Sequence, residues 1–461
     1  MRLLIGVHMV PTYGVGGAGR VALTLAHRLA RRHEVTLFHP MPHTIGPVGT
    51  EHRRVEFGVR LIGRVLTPPN RFLDTFHLPE AEAWFRALLA EVRPDVVHFH
   101  HLTGLSLALP TLARRAGIPV VMTLHDYWLV CPRGQLIDLA LQPCPGPGVF
   151  RCGRCLEDQV LLDRPIGRIV RAGVRHVPAL RGAVETVGGR LSRYRRQAVQ
   201  PAGERSRVVS RPGIGAARSM ARRIAAAWEA LDACTLLTAP SRHMIRSFRP
   251  WVKQTPLCLV RQSVGPRPAR RPSIPPFPPL RIGFLGAMIP TKGPHVLLEA
   301  SAKLSRDAVD VVLAGPTPLF HRQPNYPRRL ERLAHVAHAR LEPPVAPDRV
   351  PDWLSRLHLL IVPSIWMENA PLVIAEAFRV GVPVVASEVG GIPEMVRAGE
   401  NGMLVPPGDV GALRVLLERI AAEPEEVRTW AEGAWRTRLP DPEIEATEWE
   451  QILDALRRDC G

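Results

Sequence analysis

The chain has 461 residues, about three times the rough 150-residue allowance for one domain, so two domains, or two plus an appendage, are expected. Hydrophobic residues make up 46% and charged residues 22%, a globular balance that excludes a wholly disordered or fibrous chain. The formal charge is +18, but Lys253, Lys292 and Lys303 are the only lysines and every other basic residue is arginine. With the abundant alanine and proline, this points to GC-rich coding more than to selection for phosphate, so no nucleic-acid partner is expected.

The chain opens on Met1–His8, too short an apolar stretch for a signal peptide and readable as a first strand. No run of about 18 apolar residues follows anywhere, so no transmembrane helix is expected. The expected location is cytoplasmic, with peripheral attachment at the inner face of a membrane as a further option. In the N-terminal part, strands are predicted at Leu3–Val7, Val35–Phe38, Val96–Phe99 and Val120–Leu124, with helices over Ala18–Arg31, Glu80–Glu91 and Thr103–Ala116. Such alternation is the signature of a parallel α/β sheet.

The loop Gly14-Val15-Gly16-Gly17-Ala18-Gly19 follows the first strand, and the helix after it would aim unpaired N–H groups at an anion. It also reads as GxGxxG, but seven residues separate it from the strand, and the second strand ends at Phe38-His39-Pro40 without the carboxylate a dinucleotide ribose needs. A dinucleotide is therefore a poor fit. Strands ending in His100-His101 and His125-Asp126 could suggest a metal, yet no carboxylate or cysteine completes a three-ligand set. His98 and His100 point to one side, where a hydrogen-bonded core histidine is the plainer reading. His125, at a strand end and followed by an acid, is the better functional candidate.

From Cys131 to about Leu231 the pattern degrades into cysteine-, proline- and arginine-rich sequence with weak helical periodicity. Cys131, Cys144, Cys152 and Cys155 have the number and Cys-x2-Cys spacing for a structural zinc, with disulfides or free thiols as alternatives. Cys234, Cys258 and Cys460 look isolated. Between Asp163 and Glu229 stand fifteen arginines against four acids. Within Arg164–Arg223 apolar residues (Ile169, Val170, Val174, Val177, Leu180) are interleaved, which suits an anionic membrane surface or, equally, a solvated insert.

A strand is predicted at Thr235–Ala239, and the proline-dense Pro266–Pro279 makes a stiff linker. Alternation then restarts, with strands at Arg281–Leu285, Val309–Ala314, Leu359–Val362, Val382–Ala386 and Met403–Val405. The expected division is a first α/β domain over 1–265, carrying the cysteine loop 131–155 and the basic insert 163–230. A linker over 266–280, a second domain over 281–440 and a final helical stretch over 441–461 complete it. Two doubly wound parallel-sheet domains would face each other across one cleft.

In the second domain Lys292 lies in the loop after the first strand, where a compact ammonium suits a point contact with phosphate; a solvated lysine is the alternative. Farther on, Asn369 is a candidate N-cap, so the amides of Asn369, Ala370, Pro371, Leu372 and Val373 would offer an anion site, proline contributing no N–H. Glu368 lies just ahead of that helix. Glu376 lies on it amid apolar residues and needs a partner, either a ribose diol or an arginine.

Taken together, the Gly16-Gly17 loop, Thr123-Leu124-His125-Asp126, Ala239-Pro240-Ser241, Lys292-Gly293, the Glu368 and Glu376 pair, Gly390-Gly391-Ile392-Pro393-Glu394 and Asn401-Gly402 resemble the retaining glycosyltransferases of family 4. The resemblance covers about 1–130 and 231–420. It implies the GT-B fold, two Rossmann-like domains, and transfer of a sugar from a nucleoside-diphosphate sugar to a hydroxyl acceptor that the sequence does not name.

By that resemblance Gly16 and Gly17 approach the diphosphate, Lys292 holds it, and His125, followed by Asp126, contacts the donor sugar. Glu368 and the amides after it bind that sugar, and Glu376 binds the ribose. No cofactor is implied, since preorganised cations and helix N-termini can stabilise the leaving group. No general base is assigned, and the final helix is implied to cross back onto the first domain. One departure stands out: Ala287 occupies a position where the family often has arginine. An epimerase-like relative and a non-catalytic sugar- or anion-binding protein are the rival readings.

Overall fold

The computed structural model describes residues 1–13, 16–69, 71–156, 214–305, 307–318, 320 and 323–458. Among them the strands form two sheets. The first contains β1 (Arg2–Gly6), β2 (Glu34–Met41), β3 (Glu51–Glu56), β4 (Val59–Val65), β5 (Val96–Phe99), β6 (Val120–Thr123), β7 (Leu236–Ala239) and β8 (Leu257–Leu259), in the order β3-β4-β2-β1-β5-β6-β7-β8. The second contains β9 (Leu280–Leu285), β10 (Val309–Ala314), β11 (Arg340–Glu342), β12 (Leu359–Val362), β13 (Val384–Ser387) and β14 (Gly402–Val405), in the order β11-β10-β9-β12-β13-β14. The β3–β4 pair is antiparallel; the other strand pairs are parallel.

The central strands are short, mostly apolar runs buried throughout, as sheets covered by helices on both faces require. The β3–β4 hairpin had no apolar signature in the sequence because β3 reads Glu-His-Arg-Arg-Val-Glu and lies exposed at the sheet edge, where charge discourages pairing with other chains. The predicted helix over Thr103–Ala116 shortens to Leu109–Arg115, with Pro110 in its first turn, where proline is tolerated. The weak periodicity ahead of Leu231 becomes a 19-residue helix, Ile214–Asp232.

Two features of chain order set up the site. In the first sheet β1 lies between β2 and β5, and in the second β9 lies between β10 and β12. At each of these points the connections leave in opposite directions, opening a crevice beyond the strand ends.

The helix Pro442–Arg458, last in sequence, packs on the first sheet. Trp449, Leu453 and Leu456 share one apolar cluster with Leu3, Ile5, Val35, Val96 and Val121. Polar contacts frame it: Arg28 pairs with Glu443, Arg32 with Glu450 at 2.7 Å, and Glu445 accepts the Ser263 N–H at 2.9 Å.

Most of the Arg164–Arg223 segment, with Ile169, Val170, Val174, Val177 and Leu180, lies outside the described residues, as does Cys460. Its last arginine is not the surface residue expected. Arg223 is 2% exposed, donates to the Leu129 and Trp128 carbonyls and lies 4.7 Å from the centre of the Trp128 ring. Burial pulls its pKa down to about 10. Its position on the inward face of Ile214–Asp232, under the Trp128 loop, explains the difference. Among the described residues no helix is long and apolar enough to cross a membrane.

Candidate active site

A cleft of about 560 Å³ runs between the two sheets. Gly16, Gly17, His125 and Asp126 face it from one side, and Lys292, Glu368, Asn369, Ala370, Pro371, Leu372, Val373 and Glu376 from the other. Its volume falls within the range of small-molecule sites.

Lys292 ends a short turn after β9. The turn closes on Gly293, which has φ +71°, and a Cβ there would lie 1.9 Å from the Pro363 carbonyl oxygen. Glycine thus lets the lysine loop press against the end of β12. Lys292 Nζ lies 2.6 Å from Glu368 Oε1 and 5.3 Å from the centre of the Trp366 ring. Glu368 is 3% exposed, and its Oε1 also accepts from Ser364 Oγ at 2.7 Å and Trp366 Nε1 at 2.8 Å. Three donors converge on one oxygen, so Oε2 is the atom a ligand hydroxyl would meet.

Glu376 is paired with an arginine: Arg20 Nη2 lies 2.7 Å from its Oε1, joining the first helix of one domain to the second domain. Arg20 follows the Gly16-Gly17 pair by about one helical turn, a spacing legible in the sequence. In the glycine loop, Gly19 is the position sterically required, since a Cβ there would lie 2.1 Å from the Met9 carbonyl oxygen. At Gly16 and Gly17 the nearest atoms to such a Cβ are 3.8 Å away.

Asn369 corrects its predicted role. The helix begins at Leu372 with Pro371 in the N-cap position, and no side chain caps it. The Asn369 side chain is instead spent across the cleft: Nδ2 donates to the Leu124 and His125 carbonyls at 3.1 and 3.2 Å, and Oδ1 accepts from Ser241 Oγ at 2.5 Å. Beside it the Glu394 carboxylate accepts the N–H groups of Arg242 and His243 at 2.9 and 2.6 Å. These bonds hold the domains together along one wall of the cleft.

His125 sits in a chain of rings. Gln262 Nε2 lies 3.1 Å from His125 Nδ1, and His125 Nε2 lies 2.9 Å from His100 Nδ1. An amide donor on Nδ1 assigns the proton to Nε2, which donates to His100. Burial, together with His100 and His101, holds His125 well below the usual histidine range, so it is a neutral imidazole. Gln262, which the sequence gave no reason to single out, therefore sets its tautomer. Asp126 accepts from His101 Nε2 at 3.2 Å and from the Trp128 N–H at 2.8 Å. Burial pushes the Asp126 carboxyl up, but His101 and the Trp128 N–H outweigh it and leave the group below its ordinary value.

His98 is a core histidine bonded to Thr123 Oγ1 at 2.8 Å. Among the described residues no group of three or more His, Cys, Asp or Glu side chains is placed to hold a metal ion. The expected zinc set of Cys131, Cys144, Cys152 and Cys155 is accordingly not assembled. The four thiols are near enough to influence one another, but Cys152 accepts the Gly148 N–H, Cys144 donates to the Gly146 carbonyl and Cys155 accepts from Arg133. Burial raises the Cys152 and Cys155 thiols above their ordinary values.

The buried histidines make stability depend on acidity. Burial lowers His8 and His39 to about 4 and His98 to about 3. The unfolded chain, with histidines near the ordinary value of about 6.5, takes up protons first as pH falls. Stability is thus fully present above about pH 6.5 and is lost downward toward pH 4, by up to about 1.4 kcal/mol per pH unit for each such histidine. Melting temperature measured from pH 8 to pH 4 is expected to drop steeply below 6.5; a flat profile would contradict the buried neutral imidazoles.

The family model described as Glycosyltransferase Family 4 matches residues 15–143, and that described as Glycosyl transferases group 1 matches residues 279–423. Among curated proteins, the D-inositol 3-phosphate glycosyltransferase of Streptomyces bingchenggensis is 33% identical over 159 residues, a stretch covering 33% of this chain and only 35% of that protein. Among solved structures, sucrose-phosphate synthase from Thermosynechococcus elongatus superposes with a TM-score of 0.66 at 18% identity, covering 99% of both chains. Anabaena HepE in complex with UDP-glucose superposes at 0.61 with 15% identity, covering 98% of this chain and 99% of that one. The two family models bracket the two walls of the cleft, and the whole-chain likeness is to two-domain parallel-sheet proteins: the chain belongs to the family 4 glycosyltransferases and has the GT-B fold.

Proposed function

We propose that the protein transfers a sugar, with retention of anomeric configuration, from a nucleoside-diphosphate sugar to a hydroxyl acceptor. The observation that carries this reading is Glu368, a buried carboxylate in the cleft wall fixed through one oxygen by Lys292, Ser364 and Trp366. In this reading Oε2 of Glu368 accepts donor-sugar hydroxyls. The Lys292 ammonium, beside it, stabilises charge on the departing diphosphate, and the open backbone at Gly16 and Gly17 lets that diphosphate approach. Glu376 accepts from the ribose.

His125 is neutral, with both nitrogens engaged, so it packs against the sugar rather than supplying a proton. The acceptor attacks from the face the diphosphate leaves, and a leaving phosphate oxygen takes its proton. The residues named supply this chemistry without a bound cofactor.

The acceptor is proposed by class only. A polysaccharide, a lipid-linked glycan and a secondary metabolite all fit, and the relative's name adds a phosphorylated polyol. For a lipid-linked acceptor, the arginine-rich segment ahead of residue 214 would adsorb to the inner face of a membrane.

The test is a thermal-shift screen against UDP-, GDP- and ADP-sugars, followed by product analysis. One donor is expected to raise the melting temperature in a concentration-dependent way, as a ligand specific to the folded state must. Free nucleoside diphosphate should then accumulate with acceptor present and not without it. Release of nucleotide without any acceptor product would favour the epimerase-like reading, and no shift with any donor would favour a non-catalytic binding protein.

A further inference from the structure

Among the described residues the charged side chains lining the cleft, histidines aside, are Arg20 and Lys292 against Asp126, Glu368 and Glu376. Two cations thus face three carboxylates, in a chain whose overall charge is +18. Each cation is bound to one of the two glutamates, Lys292 to Glu368 and Arg20 to Glu376. A diphosphate entering such a cleft meets repulsion unless cation and carboxylate separate in function.

At Glu376 the separation is stereochemically open. The side chains are 30% and 14% exposed, so both reach the cleft, and a guanidinium has five N–H donors, of which one contact with Oε1 uses few. Arg20 lies in the first turn of the helix Gly17–Leu29, directly after Gly16 and Gly17, and all three line the cleft. At the other side of the crevice, Ala287 follows the β9 strand with only a methyl group and no charge.

We infer that Arg20 is the second diphosphate-binding cation, and that donor binding exchanges the Arg20–Glu376 pair for two ligand contacts, Arg20 to phosphate oxygen and Glu376 to the ribose diol. This deepens the glycosyltransferase reading and rests on it. The pair leaves each group with a partner while the cleft is empty. The cation comes from the first domain and the ribose acceptor from the second, so a ligand making both contacts replaces one bridge between the domains by another. A guanidinium suits this place because it can bind two phosphate oxygens at once.

The experiment titrates the wild type and three variants with the nucleoside, its monophosphate and its diphosphate, using whichever base the wild type prefers. Arg20→Ala is expected to weaken diphosphate binding by about 10- to 100-fold, the loss of a charge-assisted hydrogen bond. Nucleoside binding should stay the same or tighten, because Glu376 is set free. Arg20→Lys should recover part of the diphosphate affinity. Glu376→Gln should do the reverse, weakening the nucleoside while the gain from added phosphates persists.

If Arg20→Ala lowered nucleoside and diphosphate affinity equally, Arg20 would be a structural brace and the inference would fall. The same holds if Arg20→Ala kept the wild-type gain from the phosphates, or if, where Arg20→Ala failed to fold, Arg20→Lys lost nucleoside and diphosphate affinity equally. A wild type that gains nothing from added phosphates would instead remove the glycosyltransferase reading itself.

Discussion

Lys292→Ala is expected to lower kcat/KM for the donor by about 100- to 1000-fold at saturating acceptor, the cost of removing a preorganised charge-stabilising donor. Negative charge grows on the diphosphate as the glycosidic bond breaks, so an ammonium placed there stabilises the transition state more than the ground state. Among the described residues lining the cleft little else can replace it: Ala287 carries no charge, and Arg20 approaches from the opposite wall. Lys292→Arg should fall between. It keeps the cation, but a planar fork cannot share Glu368 Oε1 with Ser364 and Trp366 as the compact ammonium does at 2.6 Å. Near-wild-type turnover in Lys292→Ala would mean that the leaving group lies elsewhere.

Glu368→Ala should damage folding as well as turnover. The carboxylate is buried and receives three donors, and its removal strands the Lys292 ammonium, the Ser364 hydroxyl and the Trp366 indole N–H. Breaking a fully buried pair costs about 3–5 kcal/mol; Lys292 is 31% exposed and regains some water, so about 2–3 kcal/mol is expected. Denaturant unfolding followed by the Trp366 environment measures it. Glu368→Gln separates the two effects. Its amide oxygen still accepts from Ser364 and Trp366, so stability should be mostly recovered, whereas turnover should stay low because the anion that sets the Lys292 position is gone. A Glu368→Gln enzyme with full turnover would remove the charge from the argument.

Much of the architecture was legible because parallel strands write themselves as short apolar runs: Val96–Phe99, Val309–Ala314 and Leu359–Val362 have the bounds expected of them. The β3 edge was not, because an exposed strand built from charges lacks any apolar period. For the site, local signals were sufficient to place Lys292-Gly293 in the loop after β9 that lines the cleft. They failed where a side chain crosses to the other domain. Asn369 looked like a helix cap because capping is a local rule, but its partners lie 128 and about 245 positions away in sequence. Glu376 posed a choice between ribose and arginine that only the position of Arg20 could inform, and Gln262 became visible only once the fold brought it to His125.

The helix Pro442–Arg458 bears on how this protein is made. The first sheet receives its last strand at Leu259, yet Trp449, Leu453 and Leu456 that cover it are synthesised far later. At translation rates of about 5–20 residues per second, the roughly 180 intervening residues take roughly 10–40 s. Throughout that interval the nascent first domain keeps Leu3, Val35 and Val121 without this cover, and the Trp449 ring, whose centre lies 4.5 Å from that of His98, is still to come. Chaperone demand during synthesis should therefore track the delay to the last helix rather than the size of either domain. A chimaera that exchanges the second domain must take its final helix from the parent of the first.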